Sequence, residues 1–201
     1  MSDQIFNPKH QEQELQNKIV VGLQRISEAF KVLLWEKAKE FRLSPIQIQI
    51  LIFVAHHKEE FCNVSYLAKE FNVTKPTISD AVKVLDKKGL IVKDFSHADS
   101  RSYSIRLSVE GTSIVRQTED FGLPVKNQLD HLDNSQLNDL FSSLTSLISK
   151  LHQTGILTVQ RNCFACKYHA KQGIQDHCNL LQRDLLPQDI RLDCAEFESA
   201  S

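Results

Sequence analysis

Apolar residues recur along this chain with two periods, and the changes of period divide it. Between Leu15 and Lys37, the positions Leu15, Ile19, Leu23, Ile26, Phe30 and Leu33 follow at steps of three or four, the stripe of one long amphipathic helix. Ser44 is a helix cap with Pro45 in the first turn, and Ile48, Leu51, Ile52 and Ala55 are expected to face inward until the helix ends near His56 and His57. VSYLAKEF (64–71) predicts a short helix, and Asn72-Val73 a turn in which Asn tolerates the left-handed conformation. A new helix opens at Thr74, an N-cap residue type, with Pro76 allowed in its first turn. Ile78, Ala81, Val82 and Leu85 form its inner face, and Gly89 stops it. Two helices across such a turn make a helix-turn-helix.

After Gly89 the period becomes two. Tyr103, Ile105 and Leu107 alternate with Ser104, Arg106 and Ser108, a half-buried strand that IVKDF (91–95) can pair with. SHADSRS (96–102) is left as the polar tip of the hairpin, and a hairpin directly after a helix-turn-helix is a winged helix. The helical period then returns over 109–121, and Gly122-Leu123-Pro124 is expected to kink or break it. Leu137, Leu140, Phe141, Leu144, Leu147, Ile148 and Leu151 form a last apolar stripe, ended by Gly155, which has to bury itself against something. The fold class expected is mainly α with a small β-hairpin wing. A polar tail (1–14) precedes the winged-helix and dimerisation region (15–158), and a small cysteine-rich extension (159–201) follows it.

Composition narrows the function classes. Hydrophobic residues make up 41% and charged residues 24% of the 201, values of an ordinary globular chain. The net charge of -1 conceals a basic stretch, because residues 63–106 hold eight Lys/Arg against five Asp/Glu. A protein that meets nucleic acid needs one basic face rather than a basic total. The polar start MSDQIFNPKHQEQE does not read as a signal peptide, and no apolar run approaches the roughly 20 residues of a membrane span. A cytoplasmic protein with no membrane partner is therefore expected. No Gly-rich phosphate loop, nucleophile elbow or H-E-x-x-H points to an enzyme.

VTKPTISDAVKVLDKKGLIV (73–92) and the wing stretch DSRSYSIRLSVEG (99–111) resemble the MarR family of winged-helix transcriptional regulators. The shared features are a Thr/Ser-rich helix start, a Leu-x-x-x-Gly-Leu exit from Leu85 to Leu90, an Asp-x-Arg wing and a Leu-Ser close. The resemblance spans about residues 15–155 and implies a homodimer, joined through its first and last family helices, that straddles a palindromic operator in double-stranded DNA. It further implies a regulator, a repressor in preference to an activator, open to modulation by a small-molecule effector. Thr74, Lys75, Pro76, Thr77 and Ser79 then lie in the opening turns of a recognition helix, where free N–H groups, hydroxyls and the helix dipole favour phosphates and base edges. Lys83, Lys87 and Lys88 add salt-dependent attraction to the backbone. Arg101 at the wing tip is placed for the minor groove, with Asp99 orienting it. Asp80 departs from the family pattern and repels phosphate unless it accepts from a cytosine amino group.

Beyond residue 159, Cys163, Cys166, Cys178 and Cys194 give the spacing C-x2-C-x11-C-x15-C, with His169 and His177 as spare imidazoles. A segment near 40 residues sits at the limit below which a core needs a staple, and metal binding by four thiolates is itself folding free energy. A metal ion at this four-cysteine site is expected, zinc in preference to an iron–sulfur cluster, although the zinc-ribbon pattern lacks its second C-x2-C. Cys62 reads as a buried free thiol, and His56 and His57 have no thiol or carboxylate beside them in sequence. The competing function is a redox or iron–sulfur protein whose winged helix serves as a docking module.

Overall fold

The structure, a computed structural model, describes residues 4–10, 14–95 and 103–200. Helix α1 (Leu15–Glu40) runs three residues past the predicted stripe. Helix α2 (Pro45–His56) opens on a reciprocal capping box, in which the Ser44 N–H donates to the Gln47 side chain at 2.9 Å. It is more buried than a single stripe predicts. Gln47, Ile50 and Phe53 are enclosed with Ile48 and Leu51, whereas Ala55, expected inside, is exposed. The reason is packing on several sides, since α2 meets α1, the recognition helix and the helix after the wing.

Helix α3 (Val64–Glu70) and helix α4 (Lys75–Lys87) form the helix-turn-helix. Asn72 takes the left-handed conformation (φ 51°) that its place in the turn predicts. Thr74 caps α4 by accepting from the Thr77 N–H at 3.3 Å, and Gly89 ends it at φ 69°. Ile78, Ala81, Val82 and Leu85 are buried in one core with Leu34, Ile48, Leu51, Leu67 and Ile105. Burying side chains of this size contributes about 1.5–3 kcal/mol each.

Strands β1 (Ile91–Asp94) and β2 (Ser104–Leu107) pair as expected, antiparallel, with Ile91 opposite Leu107 and Asp94 opposite Ser104. The alternation fails at Ser104, which is buried. Its hydroxyl donates to Glu59 at 2.6 Å, and Arg106 grips the same carboxylate at 2.8 Å, so a polar anchor fixes the base of the wing. The wing tip, 96–102, lies outside the described residues.

The α-helical run is interrupted at Gly122-Leu123-Pro124 as predicted, helix α5 (Val109–Thr118) being separated from Leu123 by four residues. It tightens into a 3-10 turn (Glu119–Gly122), and helix α6 (Leu123–Gln128) starts with Pro124 in its first turn, where no helical N–H is needed. Helix α7 (Asn134–Gln153) carries the last apolar stripe, capped by Asp133 and Gln136. The extension, for which the sequence pattern predicts no strands, contains an antiparallel sheet in the order β3 (His169–Gln172), β4 (Gln175–Cys178), β5 (Arg183–Leu185). Leu185 and Ile190 are its buried apolar residues, too few to make a core unaided. No helix among the described residues is long and apolar enough to cross a membrane.

Gly111 in the first turn of α5 presses its Cα side against the exit of α4. A Cβ there would stand 1.9 Å from the Leu90 carbonyl oxygen. That oxygen cannot move away freely, because it accepts from the Ser108 N–H at 3.1 Å. Gly111→Ala is expected to cost about 3 kcal/mol, the upper end for overpacking. The melting temperature should fall by about 6–12 °C, measurable by circular dichroism.

Candidate functional site

Helix α4 is divided between the core and the surface. Its inner face is fully packed, while Thr74, Lys75, Pro76, Thr77, Asp80, Lys83 and Lys87 are exposed and Ser79 is half-buried. The Thr74 and Thr77 hydroxyls lie 2.8 Å apart, so both are held at the positive end of the helix dipole. Lys83 Nζ sits 3.0 Å from Asp80 and partly neutralises this acid. Lys88, expected to attract phosphate, instead donates to the Arg42 carbonyl. Asp99 and Arg101 fall outside the described residues.

The four cysteines of the extension converge. Cys163 opens a 3-10 turn (Cys163–Ala165) capped by the Asn162 side chain, and Cys166 closes it, its N–H donating to the Cys163 carbonyl at 3.0 Å. Cys178 ends β4 opposite His169, and Cys194 follows the loop after residues 187–189. All four line one cavity of about 30 Å³, together with Tyr168, His169, Leu185 and Arg191. Arg191 serves two of the sulfurs, its backbone N–H donating to Cys163 Sγ at 3.3 Å and its Nη1 to Cys194 Sγ at 3.5 Å. Burial pushes the Cys163 thiol up, the Arg191 N–H opposes this, and the other three sulfurs add to it. Among the described residues no group of three or more His, Cys, Asp or Glu side chains is arranged to hold a metal ion. The sequence-predicted quartet thus lines one cavity without being arranged as a metal site. The spare imidazoles are engaged elsewhere: His169 bonds Asp176 at 2.7 Å, and His177 bonds Asp184 at 2.8 Å.

Between these two regions lies a cluster that sequence reasoning missed. Arg161, only 5% exposed, uses all five N–H donors. Nε and Nη2 grip Asp193 at 2.8 and 2.7 Å, Nη1 and Nη2 grip Glu70 at 2.6 and 3.1 Å, and Nη1 reaches the Tyr66 hydroxyl at 3.0 Å. Its guanidinium carbon stands 5.2 Å from the Phe53 ring centroid, within cation–π range. His57, stacked on Phe53 at 3.8 Å, bonds the same Asp193 at 2.8 Å, while His56 turns to Glu119 at 2.9 Å. The two histidines are therefore not a metal pair. Burial alone would raise the Asp193 carboxyl, but the Arg161 and His57 hydrogen bonds outweigh it and hold the group well below the usual carboxylate range. Thr158 adds a bond to the Lys69 carbonyl, so the extension holds the far end of α3 at several points. The available signal was proximity, with opposite charges at Arg161, two residues before Cys163, and Asp193, immediately before Cys194.

Comparison with known proteins agrees with this geometry. Residues 43–102 match the family model described as MarR family. The HTH-type transcriptional regulator SarZ of Staphylococcus aureus is 22% identical over 100 residues, covering 50% of this chain and 67% of SarZ. The S. aureus MepR–DNA complex aligns with a TM-score of 0.58 at 23% identity, over 66% of this chain and 97% of MepR. Streptococcus pneumoniae FabT in complex with DNA gives a TM-score of 0.58 at 21% identity, over 69% and 99%. These likenesses show the winged-helix fold.

The buried groups set two measurable outcomes. Arg161→Ala leaves Glu70 without its guanidinium and Asp193 with only His57, and removing one partner of a buried pair costs about 3–5 kcal/mol. Solvent reaches both carboxylates, so a loss at the lower end, about 3 kcal/mol, is expected in urea unfolding, with faster proteolysis of the 154–160 linker. Cys62, 1% exposed, is pushed up to about 11 by burial, with the Glu59 charge adding to it. At pH 8 only about a thousandth is thiolate, the form that reacts. Iodoacetamide mapping by mass spectrometry should leave Cys62 unlabelled until the chain unfolds, its rate rising about tenfold per pH unit below the pKa.

Proposed function

We propose that the chain is a sequence-specific DNA-binding transcriptional regulator, a homodimer acting as a repressor, with a metal centre in its four-cysteine extension. The observation that carries the DNA-binding part is the division of α4. Its apolar face is locked into the core, and its outward face offers the capped N-terminus, two hydroxyls and Lys75, Lys83 and Lys87 to a groove. Arg101, with Asp99 beside it, is assigned to the minor groove from the sequence alone. Two of the similar structures are complexes with DNA, and SarZ is a transcriptional regulator.

Dimerisation accounts for the apolar surface that this chain leaves open. Leu15, Ile19, Ile26 and Trp35 on α1 are each at least half exposed, and Leu140 and Leu147 on α7 are more than a third exposed. A second copy covering both helices would bury them and place two α4 helices on one duplex. Repression then follows from occupancy of a promoter. Release follows when an effector or the state of the metal centre alters the spacing of the two helices, because simultaneous engagement of two grooves tolerates little change.

A duplex selected from a randomised pool by the purified protein provides the probe. Lys75→Ala removes one phosphate contact per protomer. The log–log salt dependence of binding should lose about 1.8, or ~0.9 per contact, and affinity at 0.1 M salt should drop about tenfold. An unaltered affinity and slope would remove α4 from the interface.

A further inference from the structure

Helix α7 carries part of the surface proposed for the dimer, yet its most extensive contact with any other described element of the chain is the turn at 187–189 of the extension. At that contact Thr145 of α7 and Ile190, which follows the turn, are both buried, 3% and 6% exposed. Phe164 and Pro187 line the groove beside them, facing the small side chains of Ser142 and Ser149. Leu140 and Leu147 of the same helix remain open.

The extension has a second foot on the helix-turn-helix. Arg161 spends its five donors on Asp193, Glu70 and Tyr66, and the Thr158 hydroxyl donates to the Lys69 carbonyl. Only four residues separate Thr158 from the end of α7 at Gln153, and two of them, Ile156 and Leu157, turn their N–H groups back to the Leu151 carbonyl at 3.0 and 3.3 Å. The path is therefore closed. It leaves α7, is fixed on α3, passes through the extension and returns to α7 at 187–190. A closed path with a fixed point on each side transmits a position, which a free linker cannot do. The other tie between the winged helix and the surface proposed for the dimer is α1, whose buried residues, Leu34 and Ala38, both lie in its last two turns. A helix held near one end can swing about that end.

We infer that the extension is a strut that holds the helix-turn-helix at a set angle to α7, with Arg161 as the positioning residue of one foot and Ile190 of the other. The inference rests on the proposed function, in which a dimer formed through α1 and α7 sets two α4 helices on one duplex. Once one α4 has engaged, the second binds at an effective concentration governed by the length and stiffness of the connection between them. A strut raises that concentration by removing orientations that cannot reach the second groove. It adds nothing at a single half-site, because neither foot includes a residue of α4 or of the wing.

The test compares the intact chain with two variants. Arg161→Lys keeps the charge but cannot grip two carboxylates, and Thr145→Arg crowds the other foot without touching the buried cluster. Each is titrated on a duplex holding the full selected site and on one holding a single half-site. Both variants should bind the full site about tenfold more weakly and the half-site within about twofold of the wild type. Lys75→Ala, by contrast, weakens binding to both duplexes. Equal losses on the two duplexes, or no loss on either, would overturn the strut, and should Arg161→Lys fail to fold, Thr145→Arg decides alone. Hydrogen exchange of the free protein reads the same coupling without DNA. Thr145→Arg, a change on α7, should speed exchange of the Phe71 and Asn72 amides at the end of α3 at least about threefold. Unaltered exchange there would overturn the strut whatever the DNA result. Faster exchange in a protein whose wild type binds no duplex would leave the strut standing and remove the DNA-binding role.

Discussion

One buried guanidinium decides how the two parts of this chain meet. Arg161 lies against Phe53 and Tyr66 with two carboxylates in bidentate contact, one from α3 and one from the extension. Taking a charge out of water costs several kcal/mol, and only a geometry that satisfies every donor returns it. Arginine meets that condition because its planar fork can face two carboxylates at once. A lysine at this position would offer three donors on a single nitrogen and could not lie flat between the rings. The contact therefore specifies a register as well as stabilising it, since a slip of either segment would strand a buried charge.

That specificity matters because α3 sets the pose of α4. The two helices share Leu67, Ile78 and Leu85 in one core, and a turn with a left-handed Asn72 joins them. Glu70 and Tyr66 are thus linked to α4, the helix proposed to meet DNA, through packed side chains. The wing is anchored at its base through Glu59, Ser104 and Arg106, and it also packs on α4 through Ile91 and Ile105 and the Lys93–Asp86 pair, so it is coupled to the helix pair.

Most of the winged helix is legible in the sequence because its signals are local. Caps at Ser44 and Thr74, the φ of Asn72 and the stop at Gly89 each depend on residues within one turn. Pattern and structure part where distant groups decide. Ala55 is exposed because α2 is surrounded on its other sides, and Ser104 is buried because Glu59, 45 residues away, supplies its acceptor. The four cysteines singled out by their spacing line one cavity with eight other residues. That spacing does not disclose the sheet that carries Cys178, or Arg161, whose hydrogen-bond partners Asp193, Glu70, Tyr66 and His57 lie between 32 and 104 residues away.

The extension also touches a second part of the molecule. Its turn at 187–189 packs against α7, and Phe164, Pro187 and Ile190 face Ser142, Thr145 and Ser149 of that helix across a groove of about 410 Å³. The same small module thus contacts α3 on one side and, on the other, a helix assigned to the dimer. In the proposed two-fold dimer the distance between the two α4 helices depends on the angle between each helix-turn-helix and the dimer core, which the packing of Leu34 and Ala38 of α1 into the shared core helps to set. The extension, in contact with both α3 and α7, adds a second constraint on it. Placing the cysteines in the extension leaves α4 free of any ligand duty, so the face presented to DNA need not compromise between two chemistries.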